Sequence, residues 1–290
     1  MITKNPMQLK AFIKKKAEEN RISAQLVMQN YMMERLLERI SLSKYKRNFI
    51  LKGGFLIAAI VGLNSRATMD MDATIKGFPL THGSIRGMFD EICTVAVEDD
   101  VSFTVTQTTD IRERDDYPGL RVHMIANYPP LAVALKVDVT TGDKITPSEV
   151  EYSFKLLFDD RSISVLAYNL ETIIAEKLET VLSRNIVNTR PRDFYDLHIL
   201  YALRGAECDM AVLRQALNKT ALERGSLSTI GGYREILKGI TENPQMQNFW
   251  TAYQNEFDYA KDISFGETCE TILRVMMAIG EQGGLSENGI

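Results

Sequence analysis

The sequence predicts an α+β fold in which a mixed sheet with flanking helices is followed by a helical C-terminal domain. Three observations carry that expectation. Helical periodicity fills residues 6–47, alternating and β-branched runs crowd residues 49–158, and beyond about residue 165 the apolar period is helical again. The chain of 290 residues has room for one large domain or two of ordinary size. The expected divisions are a helical segment at 1–47 packed on the core, a core at 48–164 and a helical domain at 165–290.

Taken in order, Leu9, Phe12 and Ile13, then Leu26, Tyr31, Met33, Leu36, Leu37 and Ile40, recur at helical intervals, with Lys10, Lys14, Lys15 and Lys16 on the solvent side of the first helix. Residues 49–51 form a short strand that runs into Lys52-Gly53-Gly54 and an apolar helix at 55–63. A glycine pair at such a junction marks a tight turn where backbone can approach a ligand. Residues 68–75 alternate as a strand with one polar and one apolar face. Residues 82–98 read as helix, and residues 101–109, 120–127, 132–140 and 152–158 as strands. Helices follow at 169–184, 191–203 and 210–223, with weaker helical segments beyond. Phe249, Trp250, Tyr253 and Phe257 recur at helical spacing and read as packed core rather than as a base-stacking platform. Residues 280–284 read as a frayed tail.

Composition narrows the function classes. With 45% apolar and 25% charged residues, disordered, collagen-like and coiled-coil chains are excluded. The net charge of −4 argues against a dedicated, basic nucleic-acid binder. That figure hides a split: residues 1–48 hold 11 basic and 4 acidic side chains, so the remainder carries a net −11. Such asymmetry points to a polyanion contact near the N-terminus. Cys93, Cys208 and Cys269 have neither metal-ligand spacing nor even number, which fits reduced thiols in a cytoplasmic protein. The first twenty residues lack the apolar stretch of a secretory signal. The most apolar run, 49–63, contains Lys52 and is too short to span a bilayer, so no membrane association is expected. His82, His123 and His198 are scattered without a zinc-hydrolase pair, and neither a Walker loop nor a Gly-x-Ser-x-Gly elbow is present.

Asp70 and Asp72 lie two apart on the expected strand, so both carboxylates share one face. Side by side they repel unless a cation or proton neutralises them. Mg²⁺, or Mn²⁺ in its place, suits such a pair because it takes one or two carboxylates plus phosphate oxygens. Asp138, flanked by Val137 and Val139, is on the polar face of its own strand. Three carboxylates from two strands could hold two metals about 4 Å apart for in-line phosphoryl chemistry. The Gly53-Gly54 turn is expected beside them, and backbone N–H groups at a helix N-terminus bind phosphate oxygens. Arg66 and Thr68 just precede the carboxylates, and Thr68 shares their face.

The helical part holds two anomalies. Lys177 falls in the middle of the stripe made by Leu170, Ile173, Ile174, Leu178 and Val181, so it either snorkels at the core edge or faces a cleft. On the next helix Asp193 lies beside the centre of the apolar face and Asp196 at its margin. A carboxylate at a core-facing position is expensive unless paired.

Lys52-Gly53-Gly54, Arg66-x-Thr68-x-Asp70-x-Asp72, Lys136-Val137-Asp138, Glu176-Lys177-Leu178 and Arg192-Asp193-Phe194-Tyr195-Asp196-Leu197 resemble the ordered motifs of the AbiEii/AbiGii toxin-type nucleotidyltransferases, over residues 48–203. The resemblance implies a DNA polymerase β-type core and Mg²⁺-dependent transfer of a nucleotide from an NTP. It also implies a toxin role in type IV toxin–antitoxin or abortive-infection systems, with an antitoxin acting in trans and, for some relatives, tRNA as acceptor. By the same resemblance Asp70 and Asp72 are metal ligands, joined by Asp138, which also suits the base for the acceptor hydroxyl. Lys177 contacts the NTP phosphates, Asp193 completes the last motif, and Lys52, Gly53, Gly54, Arg66 and Thr68 line the nucleotide, with Arg192 and Asp196 as secondary candidates. Residues 204–290 match nothing and are expected to choose the acceptor. Two other readings keep the fold: a nucleotidyltransferase acting on a small molecule, and a catalytically silent protein-binding module.

Overall fold

The structure, a computed structural model, describes residues 5–111 and 119–281. The chain divides into two units, residues 1–143 with 149–168, and residues 144–148 with 169–290.

In the first unit, helix α1 (Pro6–Asn20) opens where the Asn5 carboxamide accepts from the Gln8 N–H at 2.9 Å, and ends at Arg21 in the left-handed region, φ 54°. Helix α2 (Ala24–Leu42) starts at Ser23, whose hydroxyl accepts from the Leu26 N–H at 3.2 Å. From Gln29 to Ile40 every residue of α2 is buried, so this is a core helix rather than a surface one. Its charges are therefore paired inward. Arg35 lies between Glu34 (2.6 Å) and Glu38 (2.5 Å), and Arg39 grips Asp99 with bonds of 2.8 and 2.7 Å. These pairings confine the free positive charge of this segment to other side chains, because Arg35 and Arg39 are spent internally. The exposed Lys14 and Lys15 of α1 also stand 3.9 Å from Glu18 and Glu19.

The remaining elements of this unit are β1 (Phe49–Lys52), α3 (Gly53–Val61), β2 (Met71–Ile75), α4 (His82–Cys93), β3 (Ser102–Asp110), β4 (Gly119–Tyr128), β5 (Leu131–Thr140), β6 (Val150–Lys155) and β7 (Ser162–Ala167). The seven strands form one mixed sheet in the order β3-β4-β5-β2-β1-β7-β6. β2 runs parallel to β5 and β1 parallel to β7, while the other neighbours are antiparallel. Its apolar faces bury Phe49, Leu51, Met71, Ala73, Val137 and Val139.

Three elements depart from the sequence reading. The strand expected at 68–75 begins only at Met71. Side-chain amides from α2 take the preceding carbonyls instead, Asn30 bonding Thr68 O at 2.8 Å and Gln29 bonding Met69 O at 3.0 Å. The helix expected at 82–98 stops at Cys93, where the Thr94 hydroxyl turns back to the Glu91 carbonyl. β7 occupies residues where the helical pattern was expected to begin. Its signal is only the alternation of buried Ile163, Val165 and Ala167; it pairs antiparallel with the adjacent β6 and parallel with β1, which is far away in sequence.

The second unit holds α5 (Leu170–Arg184), α6 (Pro191–Arg204), α7 (Met210–Glu223), α8 (Leu227–Gly231), α9 (Tyr233–Glu242), α10 (Pro244–Glu256) and α11 (Phe265–Glu281). Asn169, Asp209 and Asn243 cap the N-termini of α5, α7 and α10 with their side-chain oxygens. Trp250 and Tyr253 of the aromatic stripe are core, while Phe249 and Phe257 are half-buried: Trp250 meets Phe265 at 5.9 Å, Tyr253 meets Tyr195 at 5.8 Å and Phe257 at 4.9 Å, and the indole N–H is satisfied by Ile263 O at 2.9 Å. Gly280 continues α11, and the rest of the expected frayed tail, beyond Glu281, lies outside the described residues. Among the described residues no helix is long and apolar enough to cross a membrane.

Candidate active site

The register of the sheet places four charged side chains in one lateral row. Lys52 of β1 is opposite Asp72 of β2, Asp72 is opposite Asp138 of β5, and Asp138 is opposite Arg121 of β4. Directly opposed residues on neighbouring strands share a face. The row therefore reads cation, acid, acid, cation, while Met71, Ala73, Val137 and Val139 turn to the apolar side. Thr74 and Thr140 form the next row on the polar face. Asp70 comes before β2, in the segment held by Gln29 and Asn30, so it is not a strand neighbour of Asp72 as expected.

The glycine turn closes on this row. Gly53, the first residue of α3, has φ +66°, and a Cβ there would collide with the Asp72 carboxylate. Only glycine satisfies both demands. A Cβ on Gly54 would stand 3.0 Å from Thr68 Oγ1 and 3.2 Å from Arg66 Nη2. Gly53, Gly54, Arg66, Thr68 and Asp72 are thus gathered around the N-terminus of α3, whose first N–H groups lack intrahelical partners. Arg66 is buried and its guanidinium donates to the Ala67 carbonyl.

Each cation at the end of the row is engaged by a carboxylate. Arg121 bonds Asp138 bidentately, Nε to Oδ1 at 2.7 Å and Nη2 to Oδ2 at 2.8 Å. Those bonds hold the guanidinium above its ordinary range, and the charges of Asp138, Asp70 and Asp72 add to the effect. Lys52 leans from Asp72 toward Asp143, bonding its Oδ2 at 2.7 Å and Thr140 Oγ1 at 2.7 Å. Thr140 and Thr74 donate to the same Asp143 oxygen. Burial alone would push the Asp143 carboxyl up, but the Lys52 charge and these hydrogen bonds hold it below the usual range.

Asp70 and Asp72, beside a turn that can receive phosphate oxygens, have the hard-oxygen character that Mg²⁺ requires. Among the described residues no group of three or more His, Cys, Asp or Glu side chains is placed to hold a metal ion together. Asp138, expected as the third ligand, has both oxygens on Arg121.

In the second unit Lys177 Nζ lies 2.5 Å from Asp193 Oδ1 and 2.8 Å from Asp196 Oδ2. Asp196 is wholly buried, not at the margin of its helix as expected, because it faces Lys177 of α5. Burial would lower the Lys177 ammonium, yet the two carboxylates raise it above the ordinary lysine range, so it stays charged. Asp193 Oδ2 is buried without a hydrogen-bond partner among the described residues. Glu176 pairs with Arg224 at 3.4 Å, and Arg192 is exposed.

Arg121, Asp143, Thr74 and Thr140 are absent from the sequence-level candidates. Strand alternation puts Arg121 and Thr140 on polar faces, but only the register brings them to Asp138 and Lys52.

Comparison with curated proteins gives no match. Among solved structures the chain is similar to a H. pylori protein described as a nucleotidyltransferase, with 15% identity, 90% of this chain and 97% of that one covered, and a TM-score of 0.49. It is similar to JHP933 of Helicobacter pylori at 15% identity, 90% and 95% coverage and a TM-score of 0.48. A nucleotidyltransferase-like antigenic protein of Paracoccidioides brasiliensis matches at 13% identity, 67% and 89% coverage and a TM-score of 0.39. The family is fixed by sequence instead: residues 35–273 match the model described as nucleotidyl transferase AbiEii toxin, type IV TA system, and the chain belongs to that nucleotidyltransferase family.

Proposed function

We propose that this toxin-family enzyme transfers a nucleotide from an NTP to an RNA acceptor such as tRNA in a Mg²⁺- or Mn²⁺-dependent reaction. An antitoxin would act against it in trans, in the cytoplasm, with abortive infection as the physiological setting. The observation that carries the reading is the acidic pair Asp72 and Asp138 in lateral register beside a glycine turn shaped around Asp72.

In this reading Asp70 and Asp72 hold the metal, which when bound neutralises charge on the triphosphate. The N–H groups of Gly53 and Gly54 receive phosphate oxygens, with Lys52 and Arg66 adding positive charge. Thr68 offers its hydroxyl at the same turn. The acceptor hydroxyl oxygen bonds the α-phosphorus as the bond to pyrophosphate breaks, and Asp138, once clear of Arg121, takes the hydroxyl proton. Lys177 is assigned to the NTP phosphates, with Asp193 and Asp196 keeping it charged and oriented. Positioning and charge neutralisation supply most of the acceleration in chemistry of this kind.

RNA is favoured as acceptor by the exposed lysines Lys10, Lys14 and Lys15 on α1. A small-molecule acceptor is the second reading, supported by the inward pairing of Arg35 and Arg39, which lowers the free positive charge. The test incubates the protein with each labelled NTP, Mg²⁺ and either total RNA or a metabolite extract, beside Asp70→Ala. Label on RNA that is lost in the variant and falls steeply with added salt supports the proposal. Label on a metabolite selects the second reading, and no transfer to either acceptor overturns both.

A further inference from the structure

One charged residue of the lateral row, Arg121, belongs to none of the sequence motifs. Arg121 is the cation at the β4 end of the lateral row, and it takes both oxygens of Asp138 in a fork-to-fork pair. Its side chain is one-third exposed, whereas that of Asp138 is much less so, at 15%. A bond at the sheet surface with one solvent-facing partner can open without disturbing the core, since the apolar neighbours Val122, Val137 and Val139 lie on the other face. The guanidinium is also close enough to feel the charges of Asp70 and Asp72. It thus stands as the internal counter-ion of the whole acidic cluster.

We infer that Arg121 is a resident cation that holds Asp138 out of the metal and proton-transfer site, so that the third carboxylate becomes available only when the Arg121–Asp138 pair opens. The inference rests on the metal reading of Asp70 and Asp72 made above. It explains why three acids expected to act as one ligand set are not assembled: the site is neutralised in advance by a side chain. Such pre-neutralisation lowers the cost of keeping three carboxylates together and makes metal binding a displacement. Arg121 is on this account a positioning residue for Asp138, and its removal strengthens metal binding, where loss of an ordinary substrate-binding arginine would leave it unchanged.

The test is Mn²⁺ binding to the full chain without NTP, followed by calorimetry and by the water-proton relaxation of the ion. Arg121→Gln is expected to bind Mn²⁺ about tenfold or more tightly than the wild type, from one unit of charge removed next to the site and one carboxylate released. Arg121→Gln with Asp138→Asn is expected to return close to wild-type affinity. Thermal unfolding with and without Mn²⁺ gives a second measurement, with the larger metal-induced rise in Arg121→Gln. Unchanged affinity in Arg121→Gln overturns the inference, as does a gain that persists in the double variant, because Arg121 would then act only as a nearby charge. Asp70→Asn separates the two layers. If wild-type Mn²⁺ binding survives that change, or if no form binds Mn²⁺, the metal reading itself falls. If binding is lost in Asp70→Asn but indifferent to Arg121, only the present inference falls.

Discussion

Lys52 stands opposite Asp72 in the register of β1 and β2, yet its ammonium is bonded to Asp143, a residue at the end of the segment after β5. Asp143 in turn collects Thr74 and Thr140, so one half-buried oxygen ties three polar side chains of the sheet surface to a single point. The lysine assigned to phosphate is thereby aimed by a carboxylate that no sequence motif singled out.

Asp143→Ala should loosen Lys52 and leave it without its principal countercharge. The expected loss of stability is about 1–3 kcal/mol, less than for a fully buried pair because both partners are only partly buried. Asp143→Asn keeps the hydroxyl bonds and should cost less. Urea denaturation checks the order of the two variants, and a raised KM for NTP in Asp143→Asn checks that the Lys52 position matters to the nucleotide.

Gly53→Ala should be far more damaging than Gly54→Ala. At Gly53 the backbone is at φ +66° and the new Cβ meets the Asp72 carboxylate, so strain and collision coincide. Transfer should drop by at least about two orders of magnitude, since a small displacement of a reacting group can cost that much. At Gly54 the neighbours are Thr68 Oγ1 and Arg66 Nη2 at 3.0 and 3.2 Å, ends of side chains that can yield by a few tenths of an ångström. Single-turnover rates of the two variants, side by side, decide the matter.

Lys177→Met should destabilise the helical unit by roughly 3–5 kcal/mol at neutral pH, because Asp193 and Asp196 are left buried and adjacent without a cation. Lys177→Met combined with Asp193→Asn and Asp196→Asn should recover much of that loss, because no uncompensated buried carboxylate remains. Asp196→Asn, which leaves Lys177 one ion-pair partner, should cost less. Unfolding curves of the single and triple variants test these statements; a triple variant no more stable than Lys177→Met would contradict the recovery.

Glu34 makes the stability of the first unit depend on pH. Burial lifts its carboxyl from 4.5 to about 7 despite the opposing charge of Arg35 and the bond from the Leu157 N–H. The folded chain therefore holds a proton that the unfolded chain releases across this window. The associated stability is fully present below pH 4.5 and is lost as pH rises toward 7. Glu34→Gln should remove that slope, so that the stability difference between variant and wild type shifts in favour of the variant as pH rises. Denaturation midpoints across the window measure it, with Arg35 and Glu38 retained in both proteins.

Much of the fold was legible because its periods are long and regular. The helical stripes of α2, α5 and α6 and the alternation of β3, β4 and β5 all appear where the sequence places them. What failed were short or borrowed pieces. β7 spans six residues and is fixed between the adjacent β6 and the distant β1, and the approach to β2 is shaped by amides of α2. At the candidate site, residue type and alternation put Asp72, Asp138 and the Gly pair together, as the register and the turn do, but misplaced Asp70, which precedes β2. They could not reveal Arg121 or Asp143, because an ion pair across strands depends on register, and register is a property of two segments at once.

The strand order gives the acidic row a history as well as a place. Asp72 and Asp138 meet only because β2 and β5 are parallel neighbours, and parallel neighbours require a long crossover, here filled by α4, β3 and β4. Lys52 finds Asp143 only after β5 has been laid down. A chain emerging from the ribosome therefore carries the glycine turn and the first two carboxylates well before the rest of the row exists. The cell making this toxin-family enzyme meets an unassembled row until about half of the polypeptide has been synthesised.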